Sequence, residues 1–333
     1  MNPLETMELG STGLKVTRIG LGGAPMGGLF SEVSSENAFS ILETAYESGI
    51  KYFDTAPLYG SGKSESYYGT YLPSVPRNQF VISTKVGRVL KEADRSPCDA
   101  VYVNLPEVQV HFDYSRDGIL RSIEDSLRRL KLDKIDIALV HDPDDHYEQA
   151  LKEALPTLYD LRSEGVITAI GAGMNQWEMM GLFAREADCD CFLLAGRYTL
   201  LDYSALYEFL PLCESKGISV ILGGPFNSGI LASDLRSPTT YFYQNASENI
   251  IEKAKRIKNI CDLYSVNLKA AALQFGLMHP AVVSTIPGAR TSKEVVENIN
   301  MIGVDIPSAV SVSYTHLRAH ETLRYLVCRL LLE

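Results

Sequence analysis

The sequence predicts an α/β protein, a closed (β/α)8 TIM barrel with an N-terminal β-hairpin, and three observations carry that prediction. Strand-like and helix-like segments alternate through most of the 333 residues. Eight such units follow one another with no break in the beat. Several helical segments stop on glycine just before the next apolar run, at Ser48-Gly49, Glu164-Gly165 and Lys216-Gly217, as expected where a left-handed residue closes a helix. Eight βα units favour a closed barrel. An open doubly wound sheet is the alternative that this rhythm leaves standing.

Residues 7–17 read as the hairpin, apolar residues alternating around Gly10-Ser11-Thr12-Gly13. Strand-like runs then end near Leu21, Phe53, Thr84, Val140, Ile170, Leu194, Leu222 and Ile286. Between them, apolar residues recur at helical spacing. Ala38, Ile41, Leu42 and Ala45 form one stripe; Ile119, Ile123, Ser126, Leu127 and Leu130 form another. Further stripes run through 155–161, 179–183, 206–213, 250–263 and 295–299. Two long loops, 88–115 and 232–248, follow the third and seventh strands. In a barrel both lie over the face where substrates bind.

The rhythm stops beyond Ala309, so residues 1–309 are read as the barrel and 310–333 as an atypical tail. That tail resembles translated adaptor sequence more than a native element, with an amphipathic terminal helix as the alternative. His316, His320 and Cys328 are given no role on that account.

Composition excludes some classes. Net charge is −10 with no basic block, which argues against nucleic acid or an anionic membrane as partner. No apolar run reaches the roughly 18–20 residues of a membrane helix, and Met1–Glu5 lacks the basic-then-apolar form of a signal peptide. The six cysteines are scattered, and Cys189-Asp190-Cys191 has the wrong spacing for a zinc knuckle. Reduced thiols in a cytoplasmic protein, with no metal, are the expectation.

Chemistry concentrates where strands end. Phe53-Asp54-Thr55-Ala56-Pro57-Leu58-Tyr59-Gly60 is a strand stopping on a carboxylate, followed by a turn that offers a tyrosine. Lys85 closes Ile82-Ser83-Thr84-Lys85, and His141 closes Leu139-Val140-His141. Strand C-termini converge on one mouth of a barrel. A tyrosine with a free pKa of about 10 exchanges protons poorly at neutral pH. A nearby cation stabilises its phenolate, a carboxylate keeps that cation charged, and an imidazole can orient the reacting oxygen. Tyr59, Lys85, Asp54 and His141 supply those roles.

From residue 7 to about 309 the sequence resembles the aldo-keto reductases: a hairpin, Asp-Thr-Ala then Tyr-Gly after the second strand, Thr-Lys after the third, His after the fourth. The resemblance implies that Asp54, Tyr59, Lys85 and His141 are a catalytic tetrad, and that a nicotinamide nucleotide binds across the mouth. It implies cofactor contacts from Met174 and Asn175, from the turn-rich Pro225-Phe226-Asn227-Ser228-Gly229, and from Ile286, Gly288, Arg290, Glu294, Glu297 and Asn298. Many members place a tyrosine under the nicotinamide where this chain has Gly223; Phe226 is the aromatic at hand to replace it. The glutamine often offered from the sixth strand is missing too, since that strand ends Ala195-Gly196-Arg197-Tyr198. A 2′-phosphate needs a cation. Gly288 and Glu294 stand where NADP-preferring relatives carry basic residues, so NAD is favoured, while Arg290 and Lys293 keep NADP open.

Phe112-Asp113-Tyr114-Ser115, His141-Asp142-Pro143-Asp144 and Ala195–Leu201 are similar to the D-threo-aldose 1-dehydrogenase (L-fucose dehydrogenase-like) branch, which includes proteins similar to pyridoxal 4-dehydrogenase. The implied reaction oxidises a cyclic hemiacetal to a lactone. Tyr59 and His141 would touch the substrate, as would Asp142 and Asp144 unless they merely cap their loop. The alternatives are pyridoxal oxidation or general carbonyl reduction. A metal-dependent hydrolase using His141, Asp142, Asp144 and His146 is a weaker reading, as is a non-catalytic nucleotide-binding subunit. Gly60-Ser61-Gly62-Lys63-Ser64 imitates a P-loop, but Pro57 occupies the place of its first glycine; Gly20-Leu21-Gly22-Gly23-Ala24-Pro25 imitates a dinucleotide fingerprint but has proline for its third. The sequence leaves the oligomeric state open.

Overall fold

A computed structural model describes residues 1–97, 99, 101–236 and 239–307. The chain opens with β1 (Thr6–Glu8) and β2 (Lys15–Thr17), an antiparallel pair with Met7 opposite Val16. Next come β3 (Leu21–Gly22), α1 (Ser35–Glu47), β4 (Tyr52–Asp54), α2 (Lys63–Tyr71) and β5 (Val81–Val86). An antiparallel ribbon, β6 (Arg88–Glu92) and β7 (Val108–Phe112), precedes α3 (Arg116–Leu130) and β8 (Ile137–His141). A short α4 (Tyr147–Gln149) runs through one π turn into α5 (Leu155–Ser163). Then follow β9 (Ala169–Met174), α6 (Trp177–Glu186), β10 (Cys191–Ala195), α7 (Phe209–Lys216) and β11 (Ser219–Gly223). A small hairpin, β12 (Thr240–Tyr241) and β13 (Gln244–Asn245), leads to α8 (Glu248–Leu263), α9 (Leu268–Gly276), β14 (Val282–Ile286) and α10 (Ser292–Gly303).

Strands β3, β4, β5, β8, β9, β10, β11 and β14 form one parallel sheet in that order. It closes on itself, because Gly20 N–H donates to the Thr285 carbonyl at 2.9 Å and Gly22 N–H to that of Pro287 at 3.1 Å. The seam needs glycine: a Cβ on Gly22 would lie 2.7 Å from the Ile286 oxygen. The expected (β/α)8 barrel is present, and the open sheet is excluded.

Period-two alternation sorts each strand between two layers. Phe53, Ile82, Ala138, Val140, Ile170, Ala172, Phe192 and Leu194 face outward into the core shared with the helices, where the α1 stripe of Ala38, Ile41, Leu42 and Ala45 is fully buried. Tyr52, Val81, Ile137, Leu139, Cys191 and Ile221 face inward. The hairpin closes the bottom of that interior with Leu9 and Val16. Inward residues thus run from apolar at the floor to Asp54, Lys85 and His141 at the top.

The sequence reading misplaced a few elements. Strand β9 continues to Met174 rather than ending near Ile170, because Gly171 and Gly173 weaken its strand signal. Those glycines serve packing: a Cβ on Gly171 would strike the Cys191 carbonyl of β10, and one on Gly173 would approach Lys85 Cε at 3.3 Å. The stripe at 206–213 divides into a 3-10 turn at Ser204–Leu206 and α7. Helix α9, rich in buried alanine, was missed. Cys189, Cys191, Cys213 and Cys261 are buried. Cys98, Cys328 and the tail from 310 lie outside the described residues, so the boundary at 309 does too.

Candidate active site

Asp54, Lys85 and His141 sit at the tops of β4, β5 and β8. Lys85 Nζ uses its three donors on Asp54 Oδ1 at 3.0 Å, Asp54 Oδ2 at 2.9 Å and the Thr55 carbonyl at 3.0 Å. Both side chains are 1% exposed, so this ion pair works in a low dielectric where an unpaired charge is costly. Ser83, two residues before Lys85 and hence on the same side of the strand, donates to Asp54 Oδ1 at 2.7 Å. Its oxygen lies 3.0 Å from the Tyr52 hydroxyl, extending the polar chain inward. Lys85 Nζ stands 4.6 Å from the centre of the Tyr59 ring. The Tyr59 and His141 rings are 5.9 Å apart and nearly perpendicular at 87°. All four groups meet at one mouth.

Their protonation states follow from burial. Burial, then the Asp54, Tyr243 and Asp142 charges, pushes the Tyr59 phenol well above 10, and Arg88 opposes only in part. Lys85 gives all three donors to Asp54 and the Thr55 carbonyl, so its charge is offset at once by the Asp54 carboxylate. Burial, helped by Arg88 and Lys85, holds His141 well below the usual imidazole range. Burial raises the Asp54 carboxyl, while Lys85 and Ser83 pull it down. The resting site therefore holds a neutral phenol and a neutral imidazole beside a buried ion pair.

A second carboxylate stands beside His141. Asp142 adopts φ 38°, with its Oδ2 3.1 Å from Arg88 Nη2 and 3.5 Å from His141 Nε2. Burial pushes it up to about 6, with Arg88 holding it back. Tyr114 fixes this turn by donating to the carbonyls of His141 at 2.6 Å and Asp142 at 3.0 Å. His146 stacks on Phe112 at 5.4 Å and Asp144 is exposed, so the metal set imagined for a hydrolase is not assembled. Among the described residues no group of three such side chains is placed to hold a metal.

Two connected hollows open here. One, of about 400 Å3, is lined by Tyr59, Lys85, His141, Asp142, Tyr102 and Tyr243, among others. That volume is ordinary for a small-molecule site. The other is a groove floored by glycines 22, 23, 196, 223, 224 and 288, with Asn175, Asn227, Ser228 and Ile286 on its walls.

The aldo/keto reductase family pattern matches residues 18–312. The chain belongs to the aldo-keto reductase family. It is 41% identical over 323 residues to pyridoxal 4-dehydrogenase of Microbacterium luteolum, covering 91% of this chain and 94% of that one. It is 37% identical over 307 residues to D-threo-aldose 1-dehydrogenase of a Pseudomonas species, covering 90% and 93%. Among solved structures, the glycerol dehydrogenase of Gluconobacter oxydans superposes with TM-score 0.78 at 24% identity, covering 95% and 96%. An aldo-keto reductase of Bacillus halodurans in its holo form gives 0.75 at 24% identity, covering 94% and 96%. This aldo-keto reductase is accordingly an NAD(P)-dependent oxidoreductase.

The groove suits a nicotinamide nucleotide. Six glycines line it, of which Gly224 is exposed and Gly196 and Gly288 are half-buried, and Asn227 Oδ1 is buried there with no partner among the described residues. The implied cofactor residues divide. Asn175, Asn227, Ser228, Ile286 and Gly288 line the groove. Arg290 N–H donates to Glu294 Oε2 at 2.8 Å, tying those two together just past β14. Gly229 is exposed with φ 103°, while Pro225 and Asn298 are buried. Met174 borders the larger hollow, but its side chain packs outward with the helices. Phe226 also packs against that outer core, so it does not replace the aromatic missing at Gly223. Glu297 is taken by Lys269 at 2.9 Å, an ion pair between α10 and α9.

Sequence reasoning missed Ser83, Arg88, Tyr102, Tyr114, Phe242 and Tyr243. Ser83 carried one signal, its two-residue spacing from Lys85, and Tyr114 stood in the quoted Phe112-Asp113-Tyr114-Ser115 stretch without a role. The five besides Ser83 reach the mouth from the long loops or their edges, where no periodicity reports direction. Among the described residues no helix is long and apolar enough to cross a membrane.

Proposed function

We propose that this enzyme oxidises the C1 hemiacetal carbon of a cyclic aldose to a lactone, passing hydride to NAD. The convergence of Asp54, Lys85, Tyr59 and His141 at one mouth of the barrel, where the two hollows meet at Tyr59, supports this reading. An oxidised nicotinamide, when bound, supplies the hydride acceptor and a positive charge. Neutral His141 holds the anomeric hydroxyl oxygen through its N–H. Tyr59 oxygen is the group that exchanges the hydroxyl proton, as phenolate in the oxidising direction and as phenol in the reducing one. The resting phenol must first lose its proton for oxidation, so the ion pair's second task is to supply Lys85 as counter-charge when Asp54 loosens its hold. Asp142, oriented by Arg88, accepts from a neighbouring ring hydroxyl.

Glu294 favours NAD, since its carboxylate beside Arg290 would repel a 2′-phosphate.

Pyridoxal is the second reading, favoured by the tyrosine-rich walls of the larger hollow. Its aldehyde and neighbouring hydroxymethyl group close into a cyclic hemiacetal, so the same oxidation yields a lactone. The test is cofactor reduction followed at about 340 nm, where reduced nicotinamide absorbs, with L-fucose, D-arabinose and pyridoxal, each with NAD and then NADP. Turnover of a sugar with NAD is expected. Turnover of none of the three with either cofactor would refute the hemiacetal assignment.

A further inference from the structure

Strands β12 and β13 pair Thr240 with Asn245 and Tyr241 with Gln244, so Phe242 and Tyr243 are the whole turn. Both have positive φ, 47° and 61°. A two-residue turn of this kind strongly prefers Asn-Gly, because bulky residues resist the left-handed region. Two adjacent aromatics there are an outlier, and strain of this sort persists only where the surroundings impose it.

The surroundings do impose it. Thr240 Oγ1 donates to the Ser228 carbonyl at 2.6 Å and Tyr243 N–H to Ser228 Oγ at 3.1 Å, lashing the hairpin to the groove wall. Arg197 lies over the Phe242 ring at 3.9 Å, donates to the Asn175 carbonyl at 3.0 Å and pairs with Asp202 at 2.9 Å. Tyr243 remains 44% exposed, its ring meeting Phe30 at 6.3 Å between centres. Phe242 and Tyr243 both line the glycine-floored groove and the larger hollow alike. Below them, the top of β11 offers no side chain at all, because it ends on Gly223.

We propose that Phe242 and Tyr243 are positioning residues whose rings wall the nicotinamide end of the cofactor and the substrate ring together, covering the place that Gly223 leaves bare. The inference rests on the functional reading above. A ring held at a fixed turn loses little freedom on binding, which is a use for the strain, and the half-exposed Tyr243 has surface to bury when a ligand arrives.

Tyr243→Gly relieves the backbone and removes the ring. Its melting temperature should equal or exceed that of wild type, while the dissociation constant for NADH and the KM for the hemiacetal each rise about tenfold, the loss of one ring contact. Fluorescence of bound NADH should fall toward its value in water. Tyr243→Phe keeps the ring and should restore all three; Phe242→Asn with Tyr243→Gly should weaken binding further. Unchanged NADH binding and KM in Tyr243→Gly would overturn the proposal, as would a Tyr243→Phe variant as weak as Tyr243→Gly. Wild-type protein that binds neither NADH nor NADPH would instead sink the functional reading, and this proposal with it.

Discussion

Replacing Lys85 by methionine isolates what the buried ion pair does. Methionine fills about the same space, so the main change is that Asp54, 1% exposed and accepting from Ser83, loses its cation. The carboxyl then has two options, to stay ionised and unpaired or to take a proton. The second sets a ceiling on the destabilisation. An unfolded aspartate titrates near 3.9, and each pH unit is worth about 1.36 kcal/mol, so neutralising it at pH 7 costs about 4 kcal/mol. At pH 5 the same ceiling is about 1.5 kcal/mol. The sign follows from burial raising the folded pKa above the unfolded one: the penalty is absent below about pH 4 and grows as pH rises. Urea denaturation at both pH values should therefore show the gap between wild type and Lys85→Met narrowing on going from pH 7 to 5, by at most about 2–3 kcal/mol. The double variant Asp54→Asn with Lys85→Met should recover most of the stability and none of the turnover. An equal gap at both pH values would mean that packing, not charge, governs the site.

Other perturbations separate the remaining roles. Tyr59→Phe keeps the ring that meets His141 at 5.9 Å but removes the proton carrier, so kcat should fall by about 10²–10⁴ with the NADH dissociation constant unchanged in a calorimeter. Asp142, pushed up to about 6 by burial, is neutral below that pH and ionised above it. The kcat/KM for the hemiacetal should accordingly drop below about pH 6, and Asp142→Asn should flatten that limb of the profile. Glu294→Lys puts a cation beside Arg290 and should raise the ratio of NADP to NAD in kcat/KM by about tenfold.

What the sequence revealed and what it hid divide along a physical line. Asp54, Lys85 and His141 were legible because each follows a run of β-formers, and a strand in a closed barrel has a known direction and a known end. Topology then does the positioning, and no side-chain detail is needed to bring them to one mouth. Strand β9 was half hidden by the same logic, since Gly171 and Gly173 are there to admit a neighbouring carbonyl and the Lys85 stem, and a missing side chain gives no periodic signal. The loops are different in kind. Arg88 reaches Asp142 across 54 residues of sequence, and Tyr243 reaches the mouth through a turn whose residues contradict the preference of its own backbone. Phe226 shows the cost of reading such a segment by composition: it lies in the stretch expected to bind the cofactor, yet it packs into the outer core, and the aromatics at the mouth come from sixteen and seventeen residues later. On the proposed function, the Asp54–Lys85 pair and His141 stand on strand ends, which fix them tightly, while the choice of partner falls to loops held against their local preference. A change of substrate can then arise at Tyr102, Phe242 or Tyr243 with the Asp54–Lys85 pair left untouched, which is consistent with relatives named for a pyridine aldehyde and for an aldose matching this one chain at 41% and 37% identity.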